Sequence, residues 1–180
     1  QRGFSHRYNS SLDMRFDDKD DGLTAQEIIE NSSVRELTNI FNEFGEERNS
    51  FRIARAIKES SEEINADRLV SIISRMTAYK YRIKTYSRIF QALRIKTNNE
   101  LDHLESFLND FMKFLKPKGR IVIISYHSME DRMVKHKFKE LKLNKELKVL
   151  SKKPFIPTDE EIFDNKRSRS AKMRVGEKIG

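Results

Sequence analysis

The sequence predicts an α/β fold in which a sheet carries a helical insertion, on three observations. Amphipathic stripes at helical spacing run from about residue 24 to 115. A short β-branched run, IVIIS (121–125), follows, and helix and strand signals then alternate toward the end of the chain. With 180 residues there is room for one domain, or a small domain with a helical elaboration. The apolar fraction of 37% and charged fraction of 36% put much of the chain on solvated faces.

Residues 1–22 have no sustained period and read as a loop. Thr24 with Glu27, and Ser33 with Glu36, fit the capping box, in which a hydroxyl and a carboxylate satisfy orphan amides. The second pair opens a helix carrying Val34, Leu37, Ile40, Phe41 and Phe44, which stops at Gly45. Ile53, Ala54 and Ile57 mark a helix near 48–60. Leu69, Ile72, Ile73 and Met76 mark another from about Asp67. From Thr85 one stripe holds Tyr86, Ile89, Phe90 and Leu93. After Asn98 and Asn99 a second holds Leu101, Leu104, Phe107, Leu108, Phe111, Phe114 and Leu115, and KPKG (116–119) ends it. The unbroken apolar run IVIIS suits a strand buried on both faces. Ser128 and Asp131 read as the cap pair of a helix reaching about Leu141. KELKVL (145–150) and SAKMRV (170–175) are strand candidates, with a short helix from Thr158 between them. Three strands are few for a run that needs covering on both sides, and the chain starts at Gln1 without Met, so upstream sequence is expected.

Composition excludes several chemistries. Without cysteine there is no disulfide framework, zinc ribbon, thiolate catalysis or iron–sulfur cluster. The six glycines form no G-x-G loop and no P-loop. The acidic run from Asp17 to Gly22 resembles a calcium loop only superficially, because Lys19 takes a ligand position and Ile28 stands where the twelfth-position Glu belongs. His6, His103, His127 and His136 lack metal spacing, so no metal is assigned. No apolar run approaches the ~20 residues of a membrane span, nor is there a signal peptide's apolar region, and a soluble cytoplasmic protein is expected.

Charge is uneven. Residues 113–180 hold 19 Lys and Arg against 9 Asp and Glu, whereas residues 1–112 hold 17 against 19. A basic half beside a near-neutral one suggests a polyanion partner, most often nucleic acid; a Lys-rich solvated surface is the alternative. The stretch ISYHSMEDR (124–132) joins a strand end to a helix start. Ligands of open α/β sheets bind at such ends, which puts Ser125, Tyr126, His127 and Ser128 at a crevice. A plain strand–turn–helix, with Ser128 merely the cap, fits the same residues. In the tail, Arg167, Arg169, Lys172 and Arg174 lie within eight residues. Guanidinium forks suit phosphate, although positive charge also guards edge strands. FGEERNSFRIARAI (44–57) mixes Glu46, Glu47, Arg48, Arg52 and Arg55, as a simple ion-paired helix face does.

Five stretches occur together and in order: GFSHRYNSSLDMRFD (3–17), FGEERNSFRIARAI (44–57), FQALRIKTNNELDHLE (90–105), LKPKGRIVIISYHSMEDRMVK (115–135) and RSRSAKMRV (167–175). Together they span essentially the whole chain and resemble the ribosomal RNA small subunit methyltransferase H family. Departures are mild: His6 replaces an aromatic, Ser11 a proline, YSRIFQALRI stands for PATRTFQALRI, and ISYHSMED for ISFHSLED. One absence is large. The family's glycine-rich GGGH segment and the strand-end acids that hold S-adenosylmethionine are not among these residues.

The resemblance implies a partial class I, Rossmann-like methyltransferase sheet with an inserted all-helical domain. Residues 1–22 would follow a missing N-terminal half, residues 23–96 form a substrate-side helical insertion, and residues 97–180 form the C-terminal half of the methyltransferase domain. It implies methyl transfer from S-adenosylmethionine to the N4 amine of a cytidine in 16S rRNA. By the same resemblance the cofactor site is expected upstream of Gln1, and this chain alone would be inactive. IVIIS becomes a fifth strand whose free edge invites a homodimer or another edge association. Ser125, His127 and Ser128 would position the cytidine, with Asp13 and Arg15 shaping its side of the site. Arg132, Lys135, Arg167, Arg169 and Lys172 would meet phosphates. The amine's lone pair is delocalised into the ring, so catalysis rests on orientation and a dry pocket, and the base must be presented unpaired. A non-catalytic rRNA-binding module shares the basic half but needs no cofactor. A DNA-binding protein is disfavoured because the helix at 33–44 sets Arg35 against Glu36 and Glu43.

Overall fold

The computed structural model describes residues 3–4, 11–17, 19 and 21–180; His6 and two members of the acidic run, Asp18 and Asp20, lie outside them. The chain divides into two compact units, Gln1–Glu100 and Leu101–Gly180.

The first unit is helical among its described residues. Its helices are α1 (Ala25–Asn31), α2 (Val34–Glu43), α3 (Ser50–Lys58), α4 (Ala66–Met76) and α5 (Arg82–Thr97), with a 3-10 turn at Tyr79–Tyr81. Both predicted capping boxes form. Thr24 and Ser33 accept from the amides of Glu27 and Glu36, whose carboxylates accept from the cap amides in return. Hydrogen bonds from the Ser33 amide and then its hydroxyl hold the Glu36 carboxyl below its ordinary pKa. Replacing Ser33 by alanine is expected to cost about 1 kcal/mol. A urea titration followed by far-ultraviolet circular dichroism reads this, and an unchanged midpoint would remove the cap from the stability account.

The predicted stripes meet in one core: Leu37 and Phe41 from α2, Ile53 and Ala54 from α3, Leu69, Ile72 and Ile73 from α4, Ile89 and Leu93 from α5. The segment before α1 joins that core through Leu12 and Met14, both fully buried. Its backbone is tied down as well as its side chains. Leu12 and Asp13 carbonyls accept from the first amides of α1, those of Gln26 and Ala25, at 2.8 and 3.0 Å. Asn98, just past α5, donates to the Met14 carbonyl and accepts from the Phe16 amide, both at 2.8 Å.

The second unit is α/β. It holds α6 (Glu100–Phe114), β1 (Arg120–Ser125), α7 (Ser128–Leu143), β2 (Leu147–Val149), α8 (Asp159–Asp164), a 3-10 turn at Lys166–Ser170, and β3 (Lys172–Lys178). The KPKG stop is reinforced from a distance. Lys178 donates from Nζ to the carbonyls of Met112 and Leu115, each at 2.9 Å, neutralising the last turn of α6. The strands lie in the order β1-β3-β2, with both pairings antiparallel. β3 is therefore the central strand of the three and not a guarded edge.

IVIIS is not buried on both faces. Ile121 and Ile123 pack on a cluster of Leu108, Phe111, Val134, Phe138, Leu141 and Leu147, whereas Val122 and Ile124 on the opposite face are each 53% exposed. A strand's side chains alternate between faces, so one covered layer hides only every second residue. Among the described residues, β1 pairs with β3 alone, leaving its other edge without a strand. The long α6 stripe is only partly covered too: Leu108 and Phe111 are buried, while Phe107 and Phe114 are exposed. No described helix is long and apolar enough to cross a membrane.

Candidate substrate cleft at the end of β1

β1 delivers its last residue, Ser125, into the interior of the second unit, where its hydroxyl is buried without a hydrogen-bond partner among the described residues. The chain then turns through Tyr126 and His127 into α7. The N-cap is His127 and not Ser128, which is the first residue of the helix. Imidazole Nδ1 accepts from the Glu130 amide at 3.4 Å. The Glu130 carboxylate in turn accepts from the amides of Tyr126 (2.8 Å) and His127 (3.3 Å). His127 Nε2 stands 3.3 Å from the other Glu130 oxygen, outside hydrogen-bond alignment. Burial pushes the Glu130 pKa up, but the His127 imidazole and these two amides outweigh it and hold the carboxyl below its ordinary value. A carboxylate at the first turn of a helix is also favoured by the helix dipole.

The next residue, Asp131, turns into the interior. Arg174 on β3 donates to it as a fork, Nε to Oδ1 at 2.7 Å and Nη2 to Oδ2 at 3.2 Å, and Lys172 Nζ lies 3.5 Å from Oδ2. Arg174 is thus a buried structural cation and not one of the tail's phosphate contacts. Sequence reasoning missed this pairing because its partners are 43 residues apart.

A cleft of about 300 Å³ opens at this strand end. One wall is Tyr126, His127 and Ser128, and the other is Arg169, Ser170, Ala171 and Lys172. Ile156, Pro157 and Ile162 form an apolar side. Local bonds fix the far wall: the Phe155 and Met173 backbones exchange two bonds of 2.9 Å. Ser168, buried, donates to the Asn165 carbonyl and leaves Arg167 and Arg169 exposed on either side. Tyr126 presents its ring at the rim, 55% exposed.

Of the residues expected at a site, the structure brings His127, Ser128, Arg169 and Lys172 to this cleft. Ser125 lies behind it, buried. Arg132 and Lys135 are exposed on α7, and Arg167 is exposed on the 3-10 turn, without lining it. Asp13 and Arg15 belong to the helical unit, where they form a two-point ion pair, Arg15 Nε to Asp13 Oδ1 at 2.7 Å and Nη2 to Oδ2 at 3.2 Å. The apolar side was missed. KPFIPT (153–158) reads as loop, and its two large apolar residues, Phe155 and Ile156, are both exposed in the structure.

The second unit is thus an α/β unit with a cleft at the carboxyl end of β1 that sets two cations, Arg169 and Lys172, beside an apolar side. Residues 1–179 match the family model described as the MraW methylase family, and the chain belongs to that family. It is 49% identical over 181 residues to the ribosomal RNA small subunit methyltransferase H of Nostoc sp. (strain PCC 7120), covering 99% of this chain and 59% of the relative. Against the protein of the same name from Trichodesmium erythraeum it is 46% identical, covering 99% of this chain and 63% of the relative. The Halothermothrix orenii protein, also so named, is 44% identical, with 99% and 64% covered. The chain therefore spans about three fifths of the length of these relatives.

Proposed function

We propose that this chain is the substrate-handling part of an enzyme that transfers a methyl group from S-adenosylmethionine to the N4 amine of a cytidine in 16S rRNA. Family membership and the relatives' names support the reaction. The observation that carries the role of this chain is the strand-end cleft, whose aromatic rim and Arg169–Lys172 wall match a base and its phosphate. His127 and Ser128 position the base there, and Ser125 ends the strand that leads into them. Arg132, Lys135 and Arg167 add positive charge for the flanking strand, and Asp13 and Arg15 order the segment leading into the helical unit.

The cleft does not fit S-adenosylmethionine. No glycine lines it to admit an adenosyl group closely, Arg169 and Lys172 repel a sulfonium, and Glu130 and Asp131 are committed to the cap and to Arg174. We therefore place the cofactor outside these 180 residues, beside further strands of a class I sheet paired to the open edge of β1. In the chain by itself, that edge is available to a second copy.

Two measurements test this. The chain alone is expected to bind no S-adenosylmethionine and to gain saturable binding when extended upstream. The extended protein is expected to label small ribosomal subunits with tritiated methyl, recovered as N4-methylcytidine on nucleoside analysis. Label on another nucleoside refutes the cytidine N4 target, and no label refutes the methyl transfer and leaves a non-catalytic rRNA-binding module. In the extended enzyme, Arg169→Ala is expected to raise KM about tenfold with kcat kept, the loss of one charge-assisted phosphate contact. His127→Ala is expected to lower kcat at least tenfold with helix content retained, and normal turnover would take His127 out of the site.

A further inference from the structure

The helical unit carries a second and larger cleft, of about 590 Å³, between the start of α3, the end of α4, the 3-10 turn and α5. It is lined by four cations, Arg48, Arg52, Lys84 and Arg88. Among the described residues, of these four Arg88 alone has a carboxylate, Glu47, at 3.5 Å; Glu47 is itself buried and accepts from the Asn49 amide at 2.9 Å. Among the described residues the side chains of Arg48, Arg52 and Lys84 have no ion-pair partner, whereas Arg55, Arg68 and Arg94 of the same unit pair with Glu59, Glu62 and Glu100. The FGEERNSFRIARAI stretch is therefore not a simple ion-paired face: its paired cation, Arg55, lies outside the cleft, and its unpaired ones line it.

Two further observations point to a ligand. The nine-residue helix α3 starts in this cleft at Asn49 with no side-chain cap, so its first amides lack the acceptor that α1 and α2 are given. Thr77, only 7% exposed, lines the same cleft with its hydroxyl buried and without a partner among the described residues. Buried hydroxyls are almost always satisfied, and an oxygen-rich anion seated here supplies acceptors to both. One exposed ring lines the cleft, that of Tyr81 at 54%, while Tyr79 on the same 3-10 turn and Phe51 on α3 are exposed outside its lining. Unneutralised cations interleaved with exposed aromatics are the pattern of single-strand binding, in which phosphates meet the charges and bases stack on the rings.

We propose that this cleft binds single-stranded RNA, with a phosphate at the start of α3 between Arg48 and Arg52, and a base stacked on Tyr81. The choice of RNA rests on the methylation reading, while the site itself rests on the cleft. The test is fluorescence anisotropy of a labelled RNA 12-mer with the full 180-residue chain across a salt series. Arg48→Ala with Arg52→Ala is expected to weaken binding at least tenfold and to flatten the log K against log salt slope by about 1.4, two single-strand phosphate contacts. Tyr81→Ala is expected to weaken binding five-fold or more with the slope unchanged. Lys152→Ala with Lys153→Ala, in the other unit, serves as the surface-charge control and is expected to lower the slope without reproducing the Tyr81 effect.

Circular dichroism establishes folding of each variant, and Arg52→Ala alone, an exposed single change, decides the matter should the double variant unfold. Wild-type affinity and slope in the folded arginine variants overturn the proposal. So does equal competition by duplex RNA or polyglutamate, which would make the cleft a duplex or acidic-protein site. Methyl transfer is not read in this assay. Weakened RNA binding with no methylation by the extended enzyme leaves the cleft standing and the reaction refuted, and the converse pair of results separates them the other way.

Discussion

Replacing Arg174 by alanine is expected to destabilise the α/β unit by about 3 kcal/mol, since removing one partner strands a buried charge. Arg174 sits in the middle of the central strand, opposite Ile123 of β1, and its fork closes on Asp131 in the first turn of α7. Both residues are 8% exposed. The pair thus pins the helix that starts at the cleft to the strand that begins beside it, and without Arg174 only Lys172 among the described residues, at 3.5 Å, remains to balance Asp131. Joint replacement, Asp131→Leu with Arg174→Met, is expected to cost much less than the two single changes added, because no unpaired charge is left.

Acid should reveal the same pair. Burial pushes the Asp131 pKa up, yet the hydrogen bonds and charge of Arg174, followed by those of Lys172, outweigh it and hold the carboxyl below the 3.8 of an unperturbed aspartate. A folded pKa below the unfolded one gives stability that is present above about pH 4 and is lost as pH falls through the folded value. Urea titrations at pH 7 and pH 3 should therefore show a loss in the wild type that is smaller in Asp131→Asn. An Arg174→Ala variant within 0.5 kcal/mol of wild type at pH 7 would falsify the assignment.

What the sequence disclosed and what it hid divide by distance along the chain. Thr24 with Glu27 and Ser33 with Glu36 are three residues apart, and both boxes form as read. The same logic slipped by one residue at the start of α7, because His127–Glu130 and Ser128–Asp131 offer the same spacing and only packing decides that Asp131 turns inward to Arg174. An apolar run records that a strand has a covered face but not whether it has two, so IVIIS was over-read. The near wall of the strand-end cleft is continuous with β1 and was legible. The far wall comes from residues 156–172 and needed the chain's return through β3. Arg48 and Arg52 looked like members of an ion-paired face until the fold showed which carboxylates stay out of reach.

Gly45 shows a similar limit, and replacing it by alanine is expected to cost the helical unit about 2–3 kcal/mol by overpacking. The sequence offers it as the glycine that stops α2. In the structure the left-handed residue is the next one, Glu46, at φ 49°, whose amide closes the helix on the Asn42 carbonyl at 3.1 Å. Gly45 is needed for close approach instead. A Cβ there would stand 2.7 Å from the Phe41 carbonyl oxygen, 2.8 Å from that of Arg88 and 3.3 Å from Ala92 Cβ. The first two are backbone atoms of α2 and α5, which no rotamer change can move aside, so one helix must shift against the other. Hydrogen exchange should locate the loss in α2 and α5, with the amides of β1 and β3 protected as before. Because Arg88 is one of the residues approached and also lines the basic cleft, the same substitution should weaken the proposed RNA binding there without removing any cation. Wild-type stability in Gly45→Ala would mean that the helices have slack at this crossing, and the cleft's geometry would then not depend on it.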